Sequence, residues 1–260
     1  MALEVNQLNR RGALALAAAL ASGAAVSGGG LILPAEVAAQ AAKEKKPAGN
    51  EASKQEDPGA GEDVGATEDL MREHGVLRRT LIVYSEVSQR LRSGAGKVDP
   101  TSLAQAAKLF REFGEQYHER TLEEQYIFPE VRKAGGPNEK LVEVLLSQHQ
   151  RGRDITDYIS SVTATGSLTA VSDRLADVLT AMARMYQAHS AWEDTIIFPA
   201  WKKTQSKARL DELAEKFEEI EHQQFGKDGF DDALERIAQI EQALGLADLR
   251  NYTASSPPRT

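Results

Sequence analysis

The chain has 260 residues, a formal net charge of −8 and a sequence pI near 5.3, room for one core domain with appendages. That acidic balance, with no long basic stripe, argues against nucleic acid or an anionic membrane as partner. There is no cysteine, so neither thiolate metal ligation nor disulfides enter.

Residues 1–41 read as an export signal. Asn9-Arg10-Arg11-Gly12-Ala13-Leu14 resembles a twin-arginine motif, with Ala13 where a stronger match has Phe, and a mildly apolar Ala/Gly/Leu run follows. Ala39-Gln40-Ala41 or Val37-Ala38-Ala39 offers a cleavage site. The run is weakly hydrophobic for a spanning helix, so a lasting membrane insertion is not expected. Periplasmic or similar export is the expected destination. Residues 42–66 carry almost no large apolar side chain and read as a disordered linker.

From Thr67 the apolar period becomes helical. A first helix carries Leu70, His74, Leu77, Leu81 and Tyr84 on one stripe, and Ser93-Gly94-Ala95-Gly96 ends it. Asp99-Pro100 restarts the chain as N-cap and first helical residue. The second helix carries Leu103, Ala107, Phe110, Gly114, Tyr117 and His118 towards Phe128, and Gly135-Gly136-Pro137 breaks it. A third, from about Asn138, presents Val142, Leu145, His149, Gly152 and Ile159. Thr165-Gly166 closes it, with Ser167 as candidate N-cap for a fourth, whose stripe is Leu175, Val178, Met182, Met185, His189 and Ile196. The fold class is therefore all-α, an up-down-up-down four-helix bundle over residues 67–205. Two more helical patterns within 206–250 are expected to pack on the bundle or on a second copy as a homodimer contact, and residues 251–260 form a flexible tail.

Within the bundle one pattern occurs twice: His118 to Phe128-Pro129 and His189 to Phe198-Pro199, each a histidine, an acidic pair and apolar residues closing on Phe-Pro. A lone histidine precedes each copy, His74 and His149, so four of the five histidines belong to the arrangement. At a rise of ~1.5 Å per residue, all four lie roughly 10–17 Å from one common end of an antiparallel bundle. One histidine on an apolar stripe is ordinarily a packing residue. Four at one level leave several imidazole nitrogens to satisfy, at roughly 1–3 kcal/mol each if unpaired, and a cation answers them all. With Glu123 and Glu193 beside them, the set suits iron, manganese or zinc and disfavours calcium or magnesium.

The copies differ by a residue. His189 to Glu193 is a four-residue step on one helical face, whereas His118 to Glu123 is five, a rotation of about 140° on a straight helix. A one-residue π-bulge would bring Glu123 back to the seam. Glu124 and Asp194 are expected on a solvated face, with Asp194 a competing bridge, and His222 outside the arrangement.

The doubled motif resembles the hemerythrin-like, or HHE cation-binding, family over about residues 67–203. That resemblance implies a non-haem di-iron centre, bridged by carboxylates, with His74, His118, Glu123, His149, His189 and Glu193 as metal ligands. Iron is implied ahead of zinc or manganese, and dioxygen, nitric oxide or peroxide as the small ligand. Oxygen carriers of the family have a second histidine at the position of Arg153, so metal binding is implied more directly than oxygen carriage. A binding protein is expected ahead of a dedicated enzyme. The rival is a di-iron peroxidase or catalase-like enzyme using Tyr117, Tyr126 or Trp192, and the third reading is a zinc-stabilised structural bundle.

Overall fold

The computed structural model describes residues 64–94 and 98–258; the expected signal and nearly all of the expected linker lie outside them. The described residues are all-helical, with no strand among them. No helix among them is long and apolar enough to cross a membrane.

Helix α1 spans Ala66–Ser93 and buries Leu70, His74, Leu77, Leu81 and Tyr84 on one face, as the periodicity predicts. Helix α2, Pro100–Leu109, opens on Asp99, whose carboxylate accepts from the backbone N–H groups of Thr101 and Ser102. Without a break the chain passes into an 18-residue π-helical segment, Phe110–Ile127, and then α3, Phe128–Ala134. Helix α4, Pro137–Thr163, buries Val142, Leu145, His149, Gly152 and Ile159.

Helix α5 is Ser172–Trp192, and its start corrects the expectation for Ser167. A 3-10 turn, Thr169–Val171, intervenes, and the Ser167 hydroxyl faces Thr169 at 3.5 Å and does not cap a helix. A second π turn, Glu193–Ile197, follows α5 and leads into α6, Phe198–Thr204. This turn also corrects the apolar stripe. Ile196, seven residues after His189, is 38% exposed, while Ile197 is fully buried. One residue accommodated in a wide turn rotates everything beyond it by one position.

Helix α1 packs along α5, α2 along α4, and α4 along α5, while α3 meets α6 so that the two Phe-Pro segments lie together. Helices α7, Lys207–Phe225, and α8, Gly229–Leu244, lie against this body. Phe225 presents its ring to Tyr117 at 5.4 Å, Phe217 stacks on Trp201 at 6.3 Å, and Arg79 on α1 makes a two-pronged bond to Glu241 at 2.8 and 2.5 Å. Their apolar faces are thus covered within the chain. Leu249–Tyr252 forms a final 3-10 turn, held by the Tyr252 hydroxyl donating to the Leu246 carbonyl.

Candidate metal centre

All six residues expected at the site come together, and all are buried: Glu123, His149 and Glu193 at 0% exposure, His118 at 1%, His74 at 2% and His189 at 3%. His74 Nε2 lies 3.0 Å from His118 Nε2, and His149 Nε2 lies 3.2 Å from His189 Nε2. The glutamates stand between these pairs. Glu123 directs Oε1 to His118 at 3.4 Å and Oε2 to His149 at 3.3 Å. Glu193 Oε2 lies 3.4 Å from His74 and 3.1 Å from His189.

The π-helical turns carry the glutamates. The Phe128 N–H bonds to the Glu123 carbonyl and the Phe198 N–H to the Glu193 carbonyl, each five residues back. Pro129 and Pro199 come next, and a proline ring crowds the carbonyl four residues before it, which a wider turn relieves. The expected bulge between His118 and Glu123 is therefore present, but as a long segment. The four-residue step from His189 to Glu193 gave no reason to expect the second.

Each histidine is oriented from behind through Nδ1, and this layer was largely missed. His74 donates to Asp194 at 2.7 Å, His118 to Glu73 at 2.6 Å, His149 to Glu124 at 3.0 Å and His189 to Gln148 at 2.9 Å. Glu124 and Asp194, expected on a solvated face, instead hold histidines across the interface between helices. The available signal was adjacency: Glu73 and Gln148 each precede a lone histidine, and Glu124 and Asp194 each follow a central glutamate.

These contacts obey a local two-fold exchange of α1 with α4, and of the first Phe-Pro helix with the second. Phe198 stacks on His74 and Phe128 on His149, both at 5.4 Å and near 20°. Arg78, four residues after His74, pairs with Asp194, as Arg153, four after His149, pairs with Glu124. Arg78 Nε donates to Ser190 at 3.3 Å and Arg153 bonds Glu119 at 3.3 Å. Arg153 is therefore one of a matched pair.

With every Nδ1 engaged by an acceptor, each Nε2 offers its lone pair to the centre. All four carboxylate oxygens of Glu123 and Glu193 are buried without a hydrogen-bond partner. Four converging imidazole nitrogens and four orphaned carboxylate oxygens are a poor packing arrangement and a good cation site. Glu123, His149, His189 and Glu193 can each place one ligand atom within 4.8 Å of the others, as can His74, His118 and Glu123. The electrostatics agree. Burial disfavours imidazolium, yet the carboxylates Glu123 and Glu73 hold His118 well above the ordinary range, and Glu119, Glu123 and Glu124 do the same for His149. Burial likewise opposes ionisation of Glu123, but His118 and His149 hold it well below the usual carboxylate range. Protons are drawn to the places a cation would take.

A small cavity of about 10 Å³, close to the volume one water needs, lies beside the centre between His74, Leu77, Leu81, His118, Glu119 and Tyr186. The buried Tyr186 hydroxyl donates to Glu119 at 2.7 Å, and its ring centroid lies 5.1 Å from that of His189. Tyr186 was not anticipated. Of the expected aromatics, Trp192 is 54% exposed, while Tyr117 and Tyr126 face Phe225 and Phe217 on α7.

Comparison with known proteins matches residues 65–167 to the hemerythrin HHE cation binding domain. An uncharacterized protein of Mycobacterium bovis and others from two Mycobacterium tuberculosis strains are 40% identical over 188 residues, covering 72% of this chain and 72% of each of theirs. Residues 65–167 of the chain are a hemerythrin HHE cation-binding domain. No solved structure matches the chain. The matched stretch holds His74, His118, Glu123 and His149; His189 and Glu193 lie beyond it and join the cluster through the two-fold geometry. The HHE domain and the buried His/Glu groups together make this a protein with a site compatible with metal binding.

Proposed function

We propose that this HHE-domain chain is an exported protein, carried by a twin-arginine signal, that holds two non-haem irons in the core of an up-down-up-down four-helix bundle and binds a small ligand such as dioxygen, nitric oxide or peroxide. The observation that carries the reading is the pair of half-sites, His74 with His118 and His149 with His189, sharing two glutamates whose oxygens have no other partner. His74, His118, His149 and His189, with Glu123 and Glu193, would hold the metal. Iron, when bound, supplies one-electron chemistry and an open coordination position for a small ligand.

The protein's own groups prepare the place. Asp194, Glu73, Glu124 and Gln148 fix the imidazole tautomers and aim Nε2 inward. Phe128 and Phe198 cover two of the imidazoles and keep water from one end. The cavity beside His74 and His118, about 10 Å³, has room for roughly one water-sized molecule.

The test is purification without a nickel column, iron reconstitution, and measurement of metal per chain with spectra in the presence and absence of oxygen. Two irons per chain and oxygen-dependent charge-transfer bands are expected, both lost in the Glu123→Ala/Glu193→Ala double variant. A stoichiometry near zero overturns the reading, and zinc without visible absorption favours a structural site. One observation supports an enzymatic variant of the same reading: Tyr186, hydrogen-bonded to Glu119, forms part of the cavity wall. Peroxide turnover by the loaded protein, lost in Tyr186→Phe at unchanged iron content, would establish it.

A further inference from the structure

The two halves of the centre match in their imidazoles and central glutamates; they differ where Arg78 bonds Ser190 and Arg153 bonds Glu119, and in the groups behind the histidines. His74 and His118 both donate to carboxylates, Asp194 at 2.7 Å and Glu73 at 2.6 Å. In the other half His149 donates to the carboxylate of Glu124 at 3.0 Å, but His189 donates to a neutral amide, Gln148, at 2.9 Å. Glu73 and Gln148 occupy equivalent positions, each the residue before its helix's lone histidine. An imidazole whose Nδ1–H is held by a carboxylate is the more basic donor at Nε2, and loss of such a partner typically costs 10–100-fold in metal affinity.

Taking the metal centre proposed above as its basis, we propose that Glu73 and Gln148 make the two half-sites unequal: the His74–His118 pocket fills first, and the His149–His189 pocket fills last and empties first. Three features act in the opposite sense: the His149–His189 pocket brings four ligand atoms within 4.8 Å of one another against three for the His74–His118 pocket, and Glu119 and Glu193 also lean towards it. Glu119 Oε2 lies 4.0 Å from His149 Nδ1, but Arg153 and the Tyr186 hydroxyl already engage that carboxylate. Glu193 lies nearer His189 than His74, 3.1 against 3.4 Å, a difference that a carboxylate rotation removes. Glu119 stands near His149 and not behind His189: among the described residues no carboxylate pairs with His189 Nδ1, so the charge missing at Gln148 is not replaced there. Both residues are positioning residues that act through the imidazole in front of them.

The test is titration of the metal-free full-length chain with Mn(II), followed by electron paramagnetic resonance, which separates an isolated ion from a spin-coupled pair. At one equivalent the isolated-ion signal is expected to dominate, giving way to the coupled pair as the second equivalent enters. Gln148→Glu should tighten the second step by about tenfold or more, so that pairs form earlier, and Glu73→Gln should weaken the first step by a similar factor. Gln148 is only half-buried, so its variant is not expected to disturb folding, and circular dichroism checks both. Coupled pairs from the first additions of Mn(II), or a second step unmoved by Gln148→Glu, overturn the ordering while leaving the metal centre intact. A chain that takes up no Mn(II) overturns the ordering together with the centre on which it rests.

Discussion

Gly152→Ala should destabilise the protein, although in an ordinary helix interior the same change stabilises. A β-carbon at Gly152 would lie 2.0 Å from the Tyr186 hydroxyl oxygen and 2.8 and 2.9 Å from ring carbons Cζ and Cε2. The ring is held by an edge contact to Phe110 at 4.9 Å and by the bond to Glu119, so moving it away from Gly152 disturbs one or both. Losing a hydrogen bond to a charged group costs about 1.5–3 kcal/mol. Forcing the ring into a filled core adds about 1–3 kcal/mol. The gain in helix propensity from glycine to alanine returns about 1 kcal/mol. The net loss is about 2–5 kcal/mol, a fall in Tm of roughly 5–15 °C for a domain of this size. Thermal unfolding of the metal-free protein measures it, with Tyr186→Phe/Gly152→Ala as companion: removing the hydroxyl relieves the closest contact, so the double variant should be no worse than Gly152→Ala. A Tm equal to or above wild type in Gly152→Ala alone would refute the contact between α4 and α5 on which the cavity wall depends.

Glu115 gives a pH signature. Burial and the neighbouring Glu119 push its carboxyl up to about 7, against the hydrogen bond from Thr156 and the Arg111 guanidinium. Because the folded state binds this proton more tightly than the unfolded chain, its contribution is full below about pH 4.5 and is lost as pH rises towards 7, by on the order of 3 kcal/mol. Urea unfolding of the metal-free protein from pH 4 to 8 should show wild type losing stability relative to Glu115→Gln over that window; parallel curves would refute it. Arg153→Met should weaken metal binding about tenfold, because Glu124, held at about 2 by His149 and Arg153 against the cost of burial, loses one of the groups that fix it behind His149. Isothermal titration with Fe(II) or Mn(II) checks this, and an unchanged affinity would show that Glu124 needs no guanidinium.

The central six residues were legible because helix periodicity and depth along each helix are both readable from spacing. The layer behind them was not, because its bonds run between helices. Glu73 orients the histidine on the second helix, not its own neighbour His74, and Gln148 reaches His189 in the same way. A sequence shows that Glu73 adjoins a candidate site; only packing shows which imidazole it faces. The two wide turns divide similarly. The first was visible because five residues separate His118 from Glu123, a step no straight helix accommodates. The second follows Glu193, after the four-residue spacing has already been met, and leaves its mark only in Ile197 burying where Ile196 was expected.

Arg153 shows how a family pattern can mislead when it is compared position by position. Beside an oxygen carrier's fifth histidine it looks like a lost ligand on one helix. In the structure its counterpart is Arg78, at the same step from the other lone histidine, and each guanidinium clamps the carboxylate that orients its own helix's histidine. A lost ligand would leave one half-site short. A matched pair of arginines leaves the halves alike in imidazoles and shifts the asymmetry to Glu73 and Gln148. Loading Arg153→His with Mn(II) separates the two accounts. If Arg153 stands in for a missing ligand, the second step should tighten; if it is the clamp on Glu124, the second step should weaken, as expected for Arg153→Met. Tightening would mean that the two-fold match between Arg78 and Arg153 has no bearing on how the centre holds its metals.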